Sequence, residues 1–221
     1  MLHKVQGIVI KYVKYKETSI IVNIFTDKFG LQTFIVNGVR SAKAKGKMAL
    51  FQPLTNLELV IYHKDNNDIQ RISEYKCSHP FQSIPINIKK SGIALFLTEI
   101  LHKIIKEKHE TEDLFSFIHH SILVLDHLTN SFENFHLQFL LKLSNYLGVG
   151  FSPTDELKFL VKEEDDNILL EQLNNESYEK SPQIDNRTRI RLLHAILDYY
   201  RVHFNNMGEI KSLAVLSEVM H

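Results

Sequence analysis

Four cations fall within eight residues in the run Arg40-Ser41-Ala42-Lys43-Ala44-Lys45-Gly46-Lys47, and only small residues separate them. Small neighbours let a backbone approach a chain of phosphates, and the run contains no acid to compensate its field. Lys11, Lys14 and Lys16 add three cations at the end of a β-patterned stretch and in the turn after it. Tyr12, Tyr15 and Phe34 are nearby aromatics on which bases can stack while cations hold phosphates. Each of the three serves as well in a hydrophobic core, and the lysine-rich run has a second reading as a solvated turn. The chemistry these residues offer is charge neutralisation and stacking, with no bond made or broken.

The distribution of charge supports a polyanion as partner. Lys plus Arg equals Asp plus Glu at 26 each, yet residues 1–80 hold 12 cations against 6 acids, and residues 81–221 hold 14 against 20. A split of this kind gives one half an electrostatic footprint for nucleic acid. The acidic half reads as a platform for protein partners.

Templates for catalysis fail. Gly46-Lys47 is followed by Met48 and lies eight residues after Gly38, so a phosphate loop lacks both its spacing and its hydroxyl. No Gly-x-Gly-x-x-Gly follows a strand. His109-Glu110 has no second histidine to make a zinc-protease helix, and adjacent His119-His120 point about 100° apart on a helix, poor geometry for one ion. The single cysteine, Cys77, excludes an internal disulfide and a cysteine zinc cluster and reads as a small strand residue. The expectation is a protein that is not an enzyme, with no cofactor and no metal. The longest apolar runs, such as Ile93–Leu97, fall far short of the roughly 20 residues of a membrane span. The N-terminus enters a strand pattern directly, without a signal-peptide core, so the expected location is the cytoplasm.

These residues need a scaffold, and the pattern supplies an α+β one. Gln6–Tyr15, Thr18–Thr26, Leu31–Asn37, Leu54–Tyr62 and Ile69–Cys77 read as five short antiparallel strands, with a longer insertion between the third and fourth. Lys16-Glu17 and Asp27–Gly30 make the tight reversals. A small five-stranded barrel over residues 1–80 follows, and an SH3-like barrel fits the pattern nearly as well. After Pro80 and Pro85 the period becomes helical, and residues 81–221 form a mostly α-helical domain. Ile93 to Ile105 carries the first stripe. Thr111 caps a second helix, striped by Leu114, Ile118, Leu125 and Leu128. Ser131 caps a third, striped by Phe135, Phe139/Leu140, Leu143 and Leu147 and ended by Gly148. Ser152-Pro153 has the form of another helix start. Glu163–Asn167 and Asn174–Glu176 read as surface turns in a weakly patterned acidic stretch reaching to about Asp185. A long helix with Ile190, Leu193, Leu197, Tyr200 and Phe204, and a short one with Leu213, Leu216 and Val219, complete the chain.

In order and spacing, Glu17-Thr18-Ser19, Phe25-Thr26, Gly30, Asn37-Gly38-Val39-Arg40-Ser41 and Leu50-Phe51-Gln52-Pro53-Leu54 resemble the N-terminal domain of the RecO family of bacterial recombination mediators. Glu99-Ile100-Leu101, Glu112-x-Leu114-Phe115, Tyr146-Leu147-Gly148 and Leu213-Ala214-Val215-Leu216 resemble its helical part. The resemblance spans nearly the whole chain and is weakest from Asp155 to Asp185. It implies an OB-fold barrel that binds single- and double-stranded DNA, and annealing of strands coated by single-strand-binding protein. The implied partners are RecR and the acidic C-terminal tail of single-strand-binding protein, with RecF and RecA beyond them, and the implied setting is the bacterial nucleoid. For that tail, Lys103 and Lys106 near the end of the first long helix are candidate contacts; their second reading is as solvated helix lysines. Many members carry a four-cysteine zinc site after the position of Gly148–Pro153. This chain has no cysteine there, so no structural zinc is expected, and residues 155–185 are expected to differ locally. A different class remains open, an OB-fold scaffold that binds protein and not nucleic acid.

Overall fold

The computed structural model describes residues 1–44, 46–105, 112–150 and 164–220. It divides into two compact units, Met1–Phe81 with Leu101–His119, and Gln82–Ile100 with His120–His221.

The first unit is built on a closed five-stranded barrel. Its strands are β1 (Leu2–Tyr15), β2 (Ser19–Thr26), β3 (Gly30–Val36), β4 (Asn56–Tyr62) and β5 (Ile69–Cys77), in the spatial order β1-β2-β3-β5-β4. Alternation does the sorting: Ile20, Val22 and Ile24 of β2 and Leu57, Leu59 and Ile61 of β4 all enter the barrel core. β1 serves twice, pairing with β4 from Leu2 to Ile8 and with β2 from Gly7 to Tyr15, with a bulge between Val9 and Lys11. Gly7 faces inward at the bend. A Cβ there would lie 2.6 Å from Ile24 Cγ2 and 2.9 Å from Leu59 Cδ1, so only a hydrogen fits.

The sequence pattern implies an all-antiparallel barrel, and one pairing departs from it. β3 and β5 run parallel, with Thr33 opposite Ile69 and Ile35 opposite Arg71. The long connection from β3 to β4 makes this possible, because it carries the chain to the other side of the barrel before β4 and β5 form their hairpin. That parallel closure is OB-fold topology and decides against the SH3-like alternative. Within the connection a 3₁₀ turn, Lys47–Phe51, inserts Phe51 into the barrel core, 5.1 Å from the Tyr75 ring. Outside the barrel core, fully buried Phe25 lies 5.9 Å from Phe115 of the same unit, which covers that part of the outer face.

The helices are α1 (Ile88–Ile104), α2 (Glu112–His127), α3 (Phe135–Tyr146), α4 (Glu164–Asn175), α5 (Asn186–His203) and α6 (Ser212–Val219). In the second unit α3 is buried along most of its length and packs on α4 and α5. Tyr200 Oη donates to Leu140 O at 2.7 Å, and the Phe135 ring stacks on Tyr178 at 4.4 Å. Carboxylates staple the rest. Asp126 accepts the backbone N–H groups of Gln82, Ser83 and Ile84 at 2.8–2.9 Å. Lys90, 2% exposed, donates to Asp126 O at 3.0 Å and to Ser83 Oγ at 2.6 Å. Glu99 caps α6 from outside it, accepting from Lys211 N, Ser212 N and Ser212 Oγ. Asp185 caps α5 through Thr188 N at 3.0 Å.

Three local expectations change. Ser131 does not cap α3: it sits at φ 58 with no side-chain cap bond, and a 3₁₀ turn, Phe132–Asn134, leads into the helix instead. Glu163–Asn167 is no surface turn from Glu164 onward, because α4 begins there. Asp166 is buried and takes Arg191 of α5 in a fork with both contacts at 2.6 Å, and Leu170 and Leu173 supply its apolar face. Asn174 and Asn175 are the last residues of that helix and not a turn. Thr111 and Ser152-Pro153 lie outside the described residues.

Two stability predictions follow from this polar framework. Burial opposes ionisation of Asp126, and the backbone donors of Gln82, Ile84 and Ser83 outweigh it, holding the carboxyl below its ordinary value. Asp126→Asn leaves donors unpaired and should lower unfolding free energy at neutral pH by about 3 kcal/mol in denaturant melts. Because the folded value is depressed, that difference should shrink as pH falls below about 4. His136 is completely buried; burial, then the charge of Arg189, push its imidazole down to about 3. The unfolded chain therefore takes the proton first, so stability drains as pH falls from about 6.5, at a slope approaching 1.4 kcal/mol per pH unit. Denaturant melts of His136→Leu across that window should be flatter by this amount.

Candidate nucleic-acid interface

The far end of β1 and the connection after β3 carry the cations picked out by the sequence. Lys11 pairs across from Asn23 and Lys14 from Ile20, so strand alternation sends them to opposite faces of the β1–β2 ribbon, both exposed. Lys16 heads the reversal in a left-handed conformation, φ 48, with its Nζ 5.3 Å from the Tyr15 ring centroid. Tyr15 is half-buried and has this ammonium over its face. Tyr12 is half-buried against the barrel core. Phe34 is a correction: it is fully buried within the barrel core and offers no face to a base. It shares parity with Val36, which also enters the core, whereas Ile35 faces outward.

The connection is a chain of overlapping turns and not a slack loop. Ser41 N donates to Gly38 O, Ala44 N to Ser41 O, Lys47 N to Ala44 O and Ala49 N to Gly46 O, all at 2.9–3.2 Å. Ala44 turns inward and is buried, while Lys43 and Lys47 stand exposed. Lys45 lies outside the described residues. Residues 37–55 contain no acid. Among the described residues Lys11, Lys14, Lys16, Lys43 and Lys47 form no ion pair, so their fields are unquenched by the protein. Glu17, exposed in the β1–β2 turn, is the acid closest in sequence.

Arg40 ties the two cationic segments together. Its backbone N–H donates to Thr18 O at 2.9 Å, and its Nη1 reaches Lys16 O at 3.1 Å and Ser19 O at 3.4 Å. Ser19 Oγ in turn donates to Asn37 Oδ1 at 2.9 Å. The segments Glu17-Thr18-Ser19 and Asn37–Ser41 are thus two halves of one joint.

Other features had no sequence signal, because topology alone assembles them. Phe29 and His63 stack at 3.9 Å and His3 meets Phe29 edge-on at 5.1 Å, with the three residues drawn from separate segments of the barrel. A groove of about 510 Å³ on the barrel mixes Lys4 and Lys76 with Asp27, Glu58 and Glu74, and Lys76 is paired to Glu58 at 2.8 Å. With both signs present it does not concentrate a field for phosphates. In the helical unit a small apolar cleft between α3, α5 and α6 is lined by Leu193, Leu213, Leu216 and Met220, with Arg189 and His194 at its side. Lys103 is half-buried near the end of α1, and Lys106 lies outside the described residues.

Among the described residues, no group of three or more His, Cys, Asp or Glu is placed to hold a metal ion. Cys77 is half-buried, and burial pushes its thiol up. No helix among them is long and apolar enough to cross a membrane.

Comparison with known proteins matches two segments of the chain. Residues 1–81 match the family described as Recombination protein O N terminal, and residues 86–158 match Recombination protein O C terminal. Relatives named DNA repair protein RecO align along almost the whole chain. The one from Bacteroides fragilis is 38% identical over 242 aligned positions, covering 99% of both chains. Those from Phocaeicola vulgatus and Flavobacterium johnsoniae are each 35% identical, covering 99% and 98% of both chains. On both the matched segments and these full-length relatives, the chain belongs to the RecO family.

Proposed function

We propose that this chain is a non-enzymatic mediator of DNA repair and recombination that binds single- and double-stranded DNA and anneals complementary strands. The observation that carries the reading is the set of exposed lysines, Lys14, Lys16, Lys43 and Lys47, without an ion pair among the described residues and on two joined segments of an OB-fold barrel, with Lys11 exposed on the other face of the β1–β2 ribbon. Annealing requires two phosphate backbones to be neutralised and held close; it asks for cations and a rigid support, and no reacting group. With Phe34 in the core and Tyr12 and Tyr15 half-buried, phosphate contact outweighs stacking in this surface. Binding is therefore expected to be strongly salt-dependent and nearly indifferent to sequence.

The family relationship supports a place in the RecF pathway, on strands coated by single-strand-binding protein, with RecR as partner and RecA loading as the outcome, in the bacterial cytoplasm at the nucleoid. An acidic tail ending in apolar residues suits an apolar cleft flanked by cations. The α3–α5–α6 cleft, with the guanidinium of Arg189 at its side, has that character, and Lys103 with Lys106 is the alternative contact.

Fluorescence anisotropy with labelled oligonucleotides tests the central reading. The wild-type chain should lose affinity steeply between about 50 and 200 mM salt. Replacing Lys43, Lys45 and Lys47 together by Ala should flatten the log–log salt slope on single strands by about 2, at roughly 0.7 per lost phosphate contact. No binding at low salt would instead favour a protein-interaction scaffold. Annealing of complementary strands precoated with single-strand-binding protein, with and without this chain, tests the mediator step.

A further inference from the structure

We infer that Arg40, which its sequence context presents as one more phosphate contact, is a positioning residue: it locks the β1–β2 turn to the β3–β4 connection so that Lys14, Lys16, Lys43 and Lys47 meet DNA as one preorganised surface. The inference rests on the DNA-binding reading and assigns a role within that site.

Arg40 is half-buried, whereas Lys43 and Lys47 of the same run are exposed. Its Nη1 donates to two carbonyls of the neighbouring reversal, Lys16 O at 3.1 Å and Ser19 O at 3.4 Å, and its own N–H donates to a third, Thr18 O at 2.9 Å. One residue thus binds three of the four consecutive carbonyls from Lys16 to Ser19. One charge-neutral tie crosses the joint, and a second braces the Asn37–Ser41 side of it. Ser19 Oγ donates to Asn37 Oδ1 at 2.9 Å, and Ser41 Oγ donates to Gly38 O at 2.8 Å. Gly38 supplies the reversal at φ +72.

The turn needs such a clamp. Lys16 holds a left-handed backbone conformation that a non-glycine residue rarely adopts, so this conformation persists only where its surroundings fix it. The planar guanidinium suits the task because its donors are fixed in one plane and its charge is weakly hydrated; a lysine ammonium is a strongly hydrated point charge on a flexible stem. Without the joint, each lysine on the two segments must be ordered at the moment of binding, and that ordering is charged against affinity.

Salt-dependent anisotropy separates the roles, since a phosphate contact changes the slope and a positioning residue changes the affinity at every salt concentration. Arg40→Lys keeps the charge and loses the planar donor, and Arg40→Gln loses both. Both should weaken single-strand binding by about tenfold with little change in slope, because the lysines still reach phosphates but start disordered. Lys43→Gln, the comparison, should flatten the slope by about 0.7. Ser19→Ala, which changes no charge, should weaken binding in the same direction as Arg40→Lys, and amide exchange at residue 40, whose N–H donates to Thr18 O across the joint, should quicken in both. Thermal melts check folding; should Arg40→Lys unfold the barrel, Ser19→Ala and Asn37→Ala carry the test. The inference is overturned if Arg40→Lys, or Ser19→Ala and Asn37→Ala together, bind as the wild type does. It is overturned equally if Arg40→Gln flattens the slope as Lys43→Gln does. A wild-type chain with no salt-dependent binding removes the DNA-binding reading itself, and a wild type that binds normally beside an intact Arg40→Lys removes only this assignment.

Discussion

A strand of 14 residues that pairs with β4 along its first half and with β2 along its second must turn between them, and the barrel depends on how β1 does so. Three features share the work. Gly7 leaves room for the Ile24 and Leu59 side chains, the bulge after Val9 adds curvature, and the backbone of Val9 pairs outside the regular ladders. Val9 N donates to Thr55 O at 3.0 Å and Leu54 N donates to Val9 O at 2.8 Å. Leu54 adopts a left-handed backbone, φ 64, at that point, immediately before the chain enters β4. Once β1 has turned, its last residues project past the bulge with β2, and they carry Lys11 and Lys14.

The cationic surface is therefore a consequence of barrel closure and not an appendage to it. Parallel pairing of β3 with β5 obliges the chain to cross the barrel between β3 and β4, and the crossing supplies the connection that bears Lys43 and Lys47. Phe51 and Ala44 anchor the crossing by burial, so cations stand on a segment held at both ends. Their small spacers serve two needs at once. Ala44 fits inward where a larger side chain would lift the turn, and Ala42 leaves the lysine ammonium groups unobstructed.

Much of this was legible in the strand pattern: alternation located all five strands, and Ile69–Cys77 has the bounds expected of it. Partner identity was not legible, since local alternation is the same for parallel and antiparallel pairing. Phe34 and Ile35 are adjacent apolar residues, and only the register tells which one enters the core. The lysines could be found because charge is visible in sequence. The role of Arg40 could not, because its partners are carbonyls 21 to 24 residues away that carry no residue-type signal. In the helical unit α4 was hidden for a related reason. Its acidic composition looks like solvated chain until Arg191, on another helix, is brought to Asp166.

That last case bears on how the acidity of residues 81–221 is to be understood. An excess of acids suggests an outward-facing field, yet several of these carboxylates are committed to partners within the protein, and two of them, Asp126 and Asp166, are buried. Asp126 holds three backbone donors, Glu99 caps α6, Asp185 caps α5 and Asp166 is forked to Arg191. A carboxylate can replace water for several N–H groups at once, which is what a bundle of short helices with many unsatisfied ends requires. Counted by position, part of the negative charge is structural. What the unit presents to a partner is then set less by net charge than by where the remaining apolar surface opens, and the α3–α5–α6 cleft, with Arg189 beside it, is such an opening.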